Sequence, residues 1–181
     1  NMKLVILDRD GVINLDSATF IKNPNEWIPI PGSLEAIALL NQHGYRVAVA
    51  TNQSGIARGY FDMATLNAIH DKMHKALAQV GGRIDAVFYC PHAADDHCQC
   101  RKPNTGMIEE IGRRFNIELT KVPGVGDALR DLQAFDKAGC QPYLVRTGKG
   151  EETYNLSEVP QTTIVVADLA AAAQDIIAGD R

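Results

Sequence analysis

The sequence predicts an α/β fold in which a mostly parallel β-sheet is covered by helices on both faces. Short apolar segments alternate with segments of helical periodicity along the whole 181-residue chain, and no internal repeat or low-complexity tract interrupts them. Strands joined through helices make right-handed crossovers and therefore a parallel sheet. The length suits one domain with a sizeable core, so we expect residues 1–181 to form a single domain, with Asn1 before Met2 a cloning remnant.

Six short apolar segments are predicted to be buried strands. They are Leu4–Leu7, Val47–Ala50, Ala86–Tyr89, Lys121–Val125, Pro142–Val145 and Thr163–Val166. In a sheet of this kind, ligands bind just beyond the carboxyl ends of the strands. The polar residues that directly follow these segments are therefore the first candidates for a functional site.

Five segments have the spacing of amphipathic helices. They are Ser33–Gln42, Met63–Gln79, Met107–Phe115, Leu129–Ala138 and Leu169–Ala178. Their expected capping residues are Ser33, Asp62, Thr105 and Asp168, while Gly139 is expected to end the fourth helix. The irregular connection over residues 14–31 is predicted to be a loop that packs over the mouth of the site.

The bulk composition argues against nucleic-acid and membrane partners. The net charge is −4, so no broad basic face is expected. No apolar stretch approaches the roughly 20 residues that span a bilayer, and the N-terminal residues show no export signal. We expect a cytoplasmic monomer that binds a small molecule.

Two carboxylates follow the first strand, in the run Leu7-Asp8-Arg9-Asp10-Gly11. Acids this close together repel unless a cation lies beside them, and a divalent cation is the simplest candidate. A plain polar turn after the strand would explain the same residues.

Two later strands also end in polar residues. Thr51-Asn52-Gln53-Ser54-Gly55 follows the second strand, and its hydroxyl and amide groups are suited to phosphate oxygens, or to capping the next turn. Asp127 follows the fourth strand and could complete a Mg²⁺ site with Asp8. Asp131 could orient Lys102, bind through water, or serve only as an acid in the first turn of a helix.

Three of the four cysteines lie close together, in the pattern Cys90-x-His92-x5-Cys98-x-Cys100. Three thiolates and one imidazole complete a tetrahedral, structural zinc set, whereas loose thiols in a loop are the alternative. His97 could replace His92 as a ligand, and the isolated Cys140 is expected in the core.

Arg101 and Lys102 directly follow the last cysteine, so a zinc-held loop would fix where these cations point. The alternative is a solvated basic pair. The run Gly148-Lys149-Gly150 is predicted to be an ordinary loop, since it lacks the remaining residues of a phosphate loop. His70 and His74 are expected on a solvated helix face, and Arg113-Arg114 at the surface.

The segments LDRDGVIN, VATNQSG, CRKP and VGDALRD, in that order, resemble the four motifs of the haloacid dehalogenase superfamily of phosphatases. The resemblance covers nearly the whole chain, and the zinc loop adds a likeness to members that act on a sugar bisphosphate or on histidinol phosphate. It implies a three-layer, Rossmann-like fold. No large insertion interrupts the motifs, so a capless, open site is expected, closed only by the 14–31 loop and the zinc loop, residues 90–102.

The resemblance also implies roles for individual residues. Asp8 would be the nucleophile that forms an aspartyl-phosphate, and Asp10 would be the general acid and then the base. Thr51 and Lys102 would hold the phosphoryl group, and Mg²⁺ would be bound by Asp8, the Asp10 carbonyl and Asp127. The implied substrate-binding set is Arg9, Asp16, Ser17, Ala18, Thr19, Thr51, Asn52, Gln53, Ser54, Arg101 and Lys102.

Two other classes of protein remain open at this point. A phosphoacceptor signalling domain also combines acids, a hydroxyl and a lysine at strand ends, but its phosphorylated Asp normally follows a later strand. A zinc-stabilised binding module is the second alternative, and the acidic net charge disfavours nucleic acid as its ligand.

Overall fold

The computed structural model describes residues 2–180, so Asn1, the expected cloning remnant, lies outside the described residues. Six parallel strands form one sheet. They are β1 (Lys3–Leu7), β2 (Tyr45–Asn52), β3 (Ala86–Cys90), β4 (Pro123–Gly126), β5 (Gln141–Val145) and β6 (Ile164–Val166). All six predicted strands are confirmed, with bounds that differ by up to two residues.

The strand order is β3-β2-β1-β4-β5-β6. The chain builds outward from β1 through β2 to β3, and then returns to the other side of β1 with β4. Such a reversal opens a crevice at the carboxyl ends of the two strands that flank it. Leu7 pairs with Val125 in this register, and the Asp8 amide donates to the Val125 carbonyl at 2.9 Å. Asp8 and Asp127 therefore leave the sheet side by side.

Six α-helices connect the strands or follow them. They are α1 (Ser33–Gln42), α2 (Met63–Gln79), α3 (Gly106–Phe115), α4 (Leu129–Lys137), α5 (Gly150–Tyr154) and α6 (Leu169–Gly179). The five predicted helices are confirmed to within one residue at each end. The sequence did not predict α5, since five residues are too few to show a helical period.

Two buried clusters lie on opposite faces of the sheet, because successive side chains of a strand point to opposite sides. Val5 and Leu7 of β1 pack with α1, α2 and α6. Leu4 and Ile6 of the same strand pack with α3 and α4. The predicted three-layer arrangement is confirmed. No helix among residues 2–180 is both long enough and apolar enough to cross a membrane.

The expected helix caps form only in part. Asp62 accepts from the Thr65 amide at 2.9 Å, as expected, and Asp168 caps α6 in the same way. Thr105 occupies the position before α3, but its side chain makes no capping bond. Ser33 is already the first residue of α1 and donates to the Val12 carbonyl at 2.9 Å, so it ties the helix to the loop after β1.

The connection over residues 14–31 folds as a loop with one short 3₁₀ turn, Pro24–Glu26. The Leu15 amide donates to the Ile28 carbonyl at 2.9 Å and closes the base of the loop. The Trp27 side chain is fully buried in the same core cluster as Val5. The base is thus anchored, and only the tip of the loop extends over the sheet edge.

Candidate active site

A cavity of about 260 Å³ opens at the carboxyl edge of the sheet. The predicted site residues that line it are Asp8, Asp10, Asp16, Ser17, Ala18, Asn52, Ser54, Arg101, Lys102 and Asp127. They come from the ends of three strands, from the 14–31 loop and from the end of the zinc loop. Residues distant in sequence meet here because parallel strands deliver their carboxyl ends to one edge.

Four predicted site residues do not line the cavity. Thr51 and Gln53 lie just behind it, where the Gln53 amide donates to the Thr51 hydroxyl at 2.8 Å. Thr19 is exposed, and its backbone amide donates to the Ser17 hydroxyl. The Arg9 side chain is fully buried and points away from the cavity.

Lys102 is the electrostatic centre of the site, although only 1% of it is exposed. Its ammonium donates to the Ala50 carbonyl at 2.7 Å and lies 2.8 Å from Asp131 and 3.2 Å from Asp8. Burial opposes the charge, but Asp131 and Asp8 outweigh burial and raise the Lys102 pKa. Asn52 bonds both the amide and the carbonyl of Lys102, which fixes the backbone from which the side chain extends.

Asp8 sits directly at the end of β1 and is almost fully buried. Its Oδ1 accepts from the Arg9 amide at 2.8 Å. Burial, followed by repulsion from Asp131, raises the Asp8 pKa to about 7, although Lys102 pulls in the opposite direction. With a pKa of about 7, the Asp8 carboxyl group is only partly ionised at neutral pH unless another cation lies beside it.

Asp127 faces Asp8 from the end of β4. Burial, then the charges of Asp131 and Asp8, raise its pKa to about 8. One oxygen accepts from the Lys149 amide at 2.8 Å. Gly11 lies beside it at a φ of +84°, and a Cβ at that position would collide with the Asp127 carboxylate. Only glycine allows the two chain segments to approach this closely.

The carboxylate oxygens of Asp8, Asp127 and Asp131 lie within 4.8 Å of one another. Asp131 is already bonded to Lys102 and to the Asp127 and Ala128 amides. Asp8 and Asp127 remain as the pair with oxygens available for a ligand. Two close carboxylates with raised pKa values and hard oxygen donors fit a divalent cation such as Mg²⁺.

Asp10 has a different environment from Asp8, two residues earlier. The Arg9 guanidinium donates to its Oδ1 at 2.9 Å, and Asn14 and Gln53 donate at 3.0 and 3.3 Å. Burial works to raise the Asp10 pKa, but Arg9 and these hydrogen bonds outweigh it and lower the pKa. The pKa values of Asp8 and Asp10 are thus shifted in opposite directions.

The four predicted zinc ligands also converge. Cys98 Sγ lies 3.6 Å from Cys90 Sγ and 3.7 Å from Cys100 Sγ, and His92 Nδ1 lies 3.7 and 3.4 Å from those same two sulfurs. A zinc tetrahedron with Zn–S of about 2.3 Å has S···S edges of about 3.8 Å and S···N edges of about 3.6 Å. These four separations fit a zinc ion.

The Cys90–Cys100 pair departs from the prediction, because the structure joins these two residues as a disulfide. The sequence favoured metal binding over cross-links. A cross-link between two sulfurs does not account for the approach of His92 and Cys98 to both of them. His97, the alternative ligand, is exposed and lies outside the cluster.

A family model described as Polynucleotide kinase 3 phosphatase matches residues 3–140. The D-glycero-beta-D-manno-heptose-1,7-bisphosphate 7-phosphatases of Bordetella bronchiseptica and Pseudomonas aeruginosa are 60% and 52% identical to the chain, over 97% and 96% of it and 98% and 97% of their own lengths. The crystal structure of the D,D-heptose 1,7-bisphosphate phosphatase from B. bronchiseptica, complexed with magnesium and phosphate, has a TM-score of 0.96 at 59% identity and covers 98% of this chain and 99% of that one.

The chain belongs to the haloacid dehalogenase superfamily of phosphatases. It is a phosphoric monoester hydrolase, and the resemblance noted from the four motifs is confirmed. This excludes the two alternatives left open by the sequence, namely a phosphoacceptor signalling domain and a non-catalytic zinc module.

Lys149 is a residue of this phosphatase site that sequence reasoning missed. Its ammonium pairs with Asp16 at 2.6 Å, its amide bonds Asp127, and its side chain lines the cavity. The run 148–150 was predicted to be an ordinary loop, whereas it leads into α5 and holds the tip of the 14–31 loop over the site. No local pattern signals this, because the partner lies 133 positions away.

His70 was predicted on a solvated face, and this is wrong, although His74 is exposed as expected. His70 is 8% exposed, and its Nε2 lies 3.1 Å from the Arg9 guanidinium. Its place four residues after Leu66 and three before Met73 puts it on the apolar face of α2, a signal that the sequence did contain. Arg113 and Arg114 are exposed, as expected.

Replacement of His70 by glutamine should reduce the acid sensitivity of the fold. Burial, then the charges of Arg9 and His74, lower the His70 pKa from 6.5 to about 3. A folded-state pKa below the unfolded value favours the neutral form, so this contribution is present above pH 6.5 and declines as the pH falls towards 3. The loss approaches about 1.4 kcal/mol per pH unit.

Denaturant unfolding of the wild type and His70→Gln between pH 7.5 and 5 measures this difference. The introduced amide can still accept from Arg9 but does not titrate, so the stability of the wild type should fall more steeply below pH 6.5. Parallel curves for the two proteins would contradict the assignment. His74→Gln, which changes the exposed histidine one turn later, is the matched control and should follow the wild type.

Proposed function

We propose that the chain hydrolyses the C7 phosphate ester of D-glycero-D-manno-heptose 1,7-bisphosphate through an aspartyl-phosphate intermediate. The observation that carries the proposal is the placement of Asp8 3.2 Å from the buried Lys102 ammonium, with Asp10 clamped separately by Arg9. The substrate follows from the relatives of 52–60% identity that are named for it. The reaction would belong to the synthesis of ADP-heptose precursors of the lipopolysaccharide core.

In the first step, an Asp8 oxygen attacks phosphorus, and the bond between phosphorus and the C7 oxygen breaks. Asp10 gives its proton to that oxygen. In the second step Asp10 takes a proton from water, the water oxygen attacks phosphorus, and the bond to Asp8 breaks to release inorganic phosphate. The lowered Asp10 pKa favours the carboxylate that the second step requires and opposes the protonated form that the first step requires.

Thr51 and Lys102 are proposed to hold the phosphoryl oxygens during transfer. The Asp8 and Asp127 carboxylates and the Asp10 carbonyl are the proposed Mg²⁺ ligands. The related structure described above was complexed with magnesium and phosphate, which supports this assignment. When bound, the ion supplies positive charge that offsets the negative charge of the carboxylates and the phosphoryl group.

Recognition of the sugar is proposed for the rim of the open site. Arg101 would contact the substrate, helped by residues 16–19 and 52–54. The Arg9 side chain is withdrawn from the cavity, so its contribution would come from its backbone. The protein is proposed to act on this small molecule as a single-domain, cytoplasmic monomer.

A structural zinc ion is proposed for Cys90, His92, Cys98 and Cys100. Four of the ligand separations fit a tetrahedral site, and the last ligand is followed at once by Arg101 and Lys102. Zinc binding would require the Cys90–Cys100 disulfide to be reduced. The zinc would stabilise a loop that is too polar to have a core of its own. Its function would be to hold the two cations in place.

Substitution of the nucleophile tests the covalent mechanism. Asp8→Asn should lower kcat by about 10³-fold or more, because the amide cannot form the aspartyl-phosphate. Circular dichroism and zinc content should match those of the wild type. Asp71→Asn, on the exposed face of α2, is the control and should keep full activity. Full activity of D8N would exclude the mechanism.

A comparison of substrates tests the identity of the reaction. We expect the highest kcat/KM with one anomer of heptose 1,7-bisphosphate, and lower values with fructose 1,6-bisphosphate and histidinol phosphate. The cationic rim attracts a second phosphate and repels the ammonium group of histidinol phosphate. A higher kcat/KM for histidinol phosphate would favour the alternative, a histidinol-phosphate phosphatase.

Metal analysis tests the zinc site. Freshly purified protein should hold one zinc per chain, and Cys98→Ser should lower the zinc content and lower Tm by roughly 5 °C or more. His97→Asn changes a neighbouring residue outside the cluster and should retain zinc. Wild-type protein without zinc would refute the site.

A further inference from the structure

Two arginines outside the predicted site also face the cavity, Arg58 and Arg130. Arg130 lies in the first turn of α4, and its Nε is shielded from solvent with no hydrogen-bond partner. Among residues 2–180, neither guanidinium forms an ion pair with a carboxylate. Arg58 is exposed and stacks over Phe20, whose ring centroid lies 5.9 Å away.

Three of the carboxylates that line the cavity already have basic side-chain partners, whereas the Asp127 carboxylate accepts only from the Lys149 amide within the described part of the chain. Asp10 is bonded to Arg9, Asp16 to Lys149, and Asp8 to Lys102. Asp131, next to Arg130 in sequence, is bonded to Lys102 at 2.8 Å. The carboxylates of Asp131, Asp8, Asp127 and Asp16 lie close enough to interact with the Arg130 charge, but none of them forms an ion pair with its guanidinium.

Arg58, Arg101 and Arg130 all line the same cavity. Like charges around one cavity repel one another, and an anionic ligand would relieve that repulsion. The planar guanidinium fork is suited to phosphate oxygens, which accept two parallel hydrogen bonds.

We propose that Arg130 binds the phosphate group of the substrate that is not transferred, with Arg58 on its flank. This inference rests on the proposed function, because only a bisphosphate carries the second group. The transferred phosphate belongs beside Asp8 and Lys102, where the charges are already paired. The second dianion then meets the unpaired guanidinium groups at the rim.

The test compares heptose 1,7-bisphosphate with heptose 7-phosphate, which lacks only the second phosphate. Arg130→Met should lower kcat/KM for the bisphosphate by about 10- to 100-fold, mainly through KM, as expected for the loss of a charge-assisted hydrogen bond. The value for the 7-phosphate should stay within about threefold of the wild type. Arg58→Met should lower kcat/KM for the bisphosphate by a smaller factor, since Arg58 is exposed.

A structural role for Arg130 would lower kcat/KM for both substrates equally, and that result would overturn the inference. Arg146→Met is the matched control, because Arg146 lies outside the cavity and faces Glu151 at 3.5 Å. If R130M does not fold, Arg130→Lys keeps the charge beside Asp131 but removes the fork, and it should also lower the bisphosphate preference. A preference unchanged from the wild type would again overturn the inference.

The same measurements separate this inference from the proposed function. If the wild type hydrolyses the bisphosphate and the Arg130 variants keep its preference for the bisphosphate over the 7-phosphate, only the role of Arg130 is overturned. A wild type that hydrolyses neither heptose substrate overturns the proposed function and this inference together.

Discussion

The site depends on one buried cluster of charges, in which the Lys102 ammonium lies between Asp8 and Asp131. Buried ions are costly, and a single unpaired member would be strongly destabilising. The cluster therefore constrains everything around it. The cluster forms only if β1 lies beside β4 and the first turn of α4 places Asp131 next to them. It also requires the end of the zinc loop to place Lys102 between Asp8 and Asp131.

The same arrangement explains how two acids two residues apart can serve different purposes. Burial and neighbouring acids raise the Asp8 pKa to about 7, whereas Arg9 and two amides lower that of Asp10. Pairs of titratable groups with opposite environments are typical of enzyme active sites. Here the difference comes from Arg9, Asn14 and Gln53, which lower the Asp10 pKa, and from burial and Asp131, which raise the Asp8 pKa.

Three segments outside the sheet complete the cavity, and each is tied to the cluster by a specific contact. The zinc loop is joined through the two bonds between Asn52 and the Lys102 backbone. Lys149 joins the segment after β5 to both Asp127 and the tip of the 14–31 loop. Arg101, Arg58 and Arg130, the residues proposed to set specificity, line the same cavity as these buried charges.

The sequence by itself determined the α/β class, all six strands and five helices, because these depend on local periodicity and capping. It also placed Asp8, Thr51, Lys102 and Asp127 at strand or loop ends, since their motifs are local. The tertiary structure alone decided which distant groups meet: Lys149 with Asp16, His70 with Arg9, and Arg130 with the cavity. Such pairings depend on how separate elements pack, and no local pattern records a partner so far away along the chain.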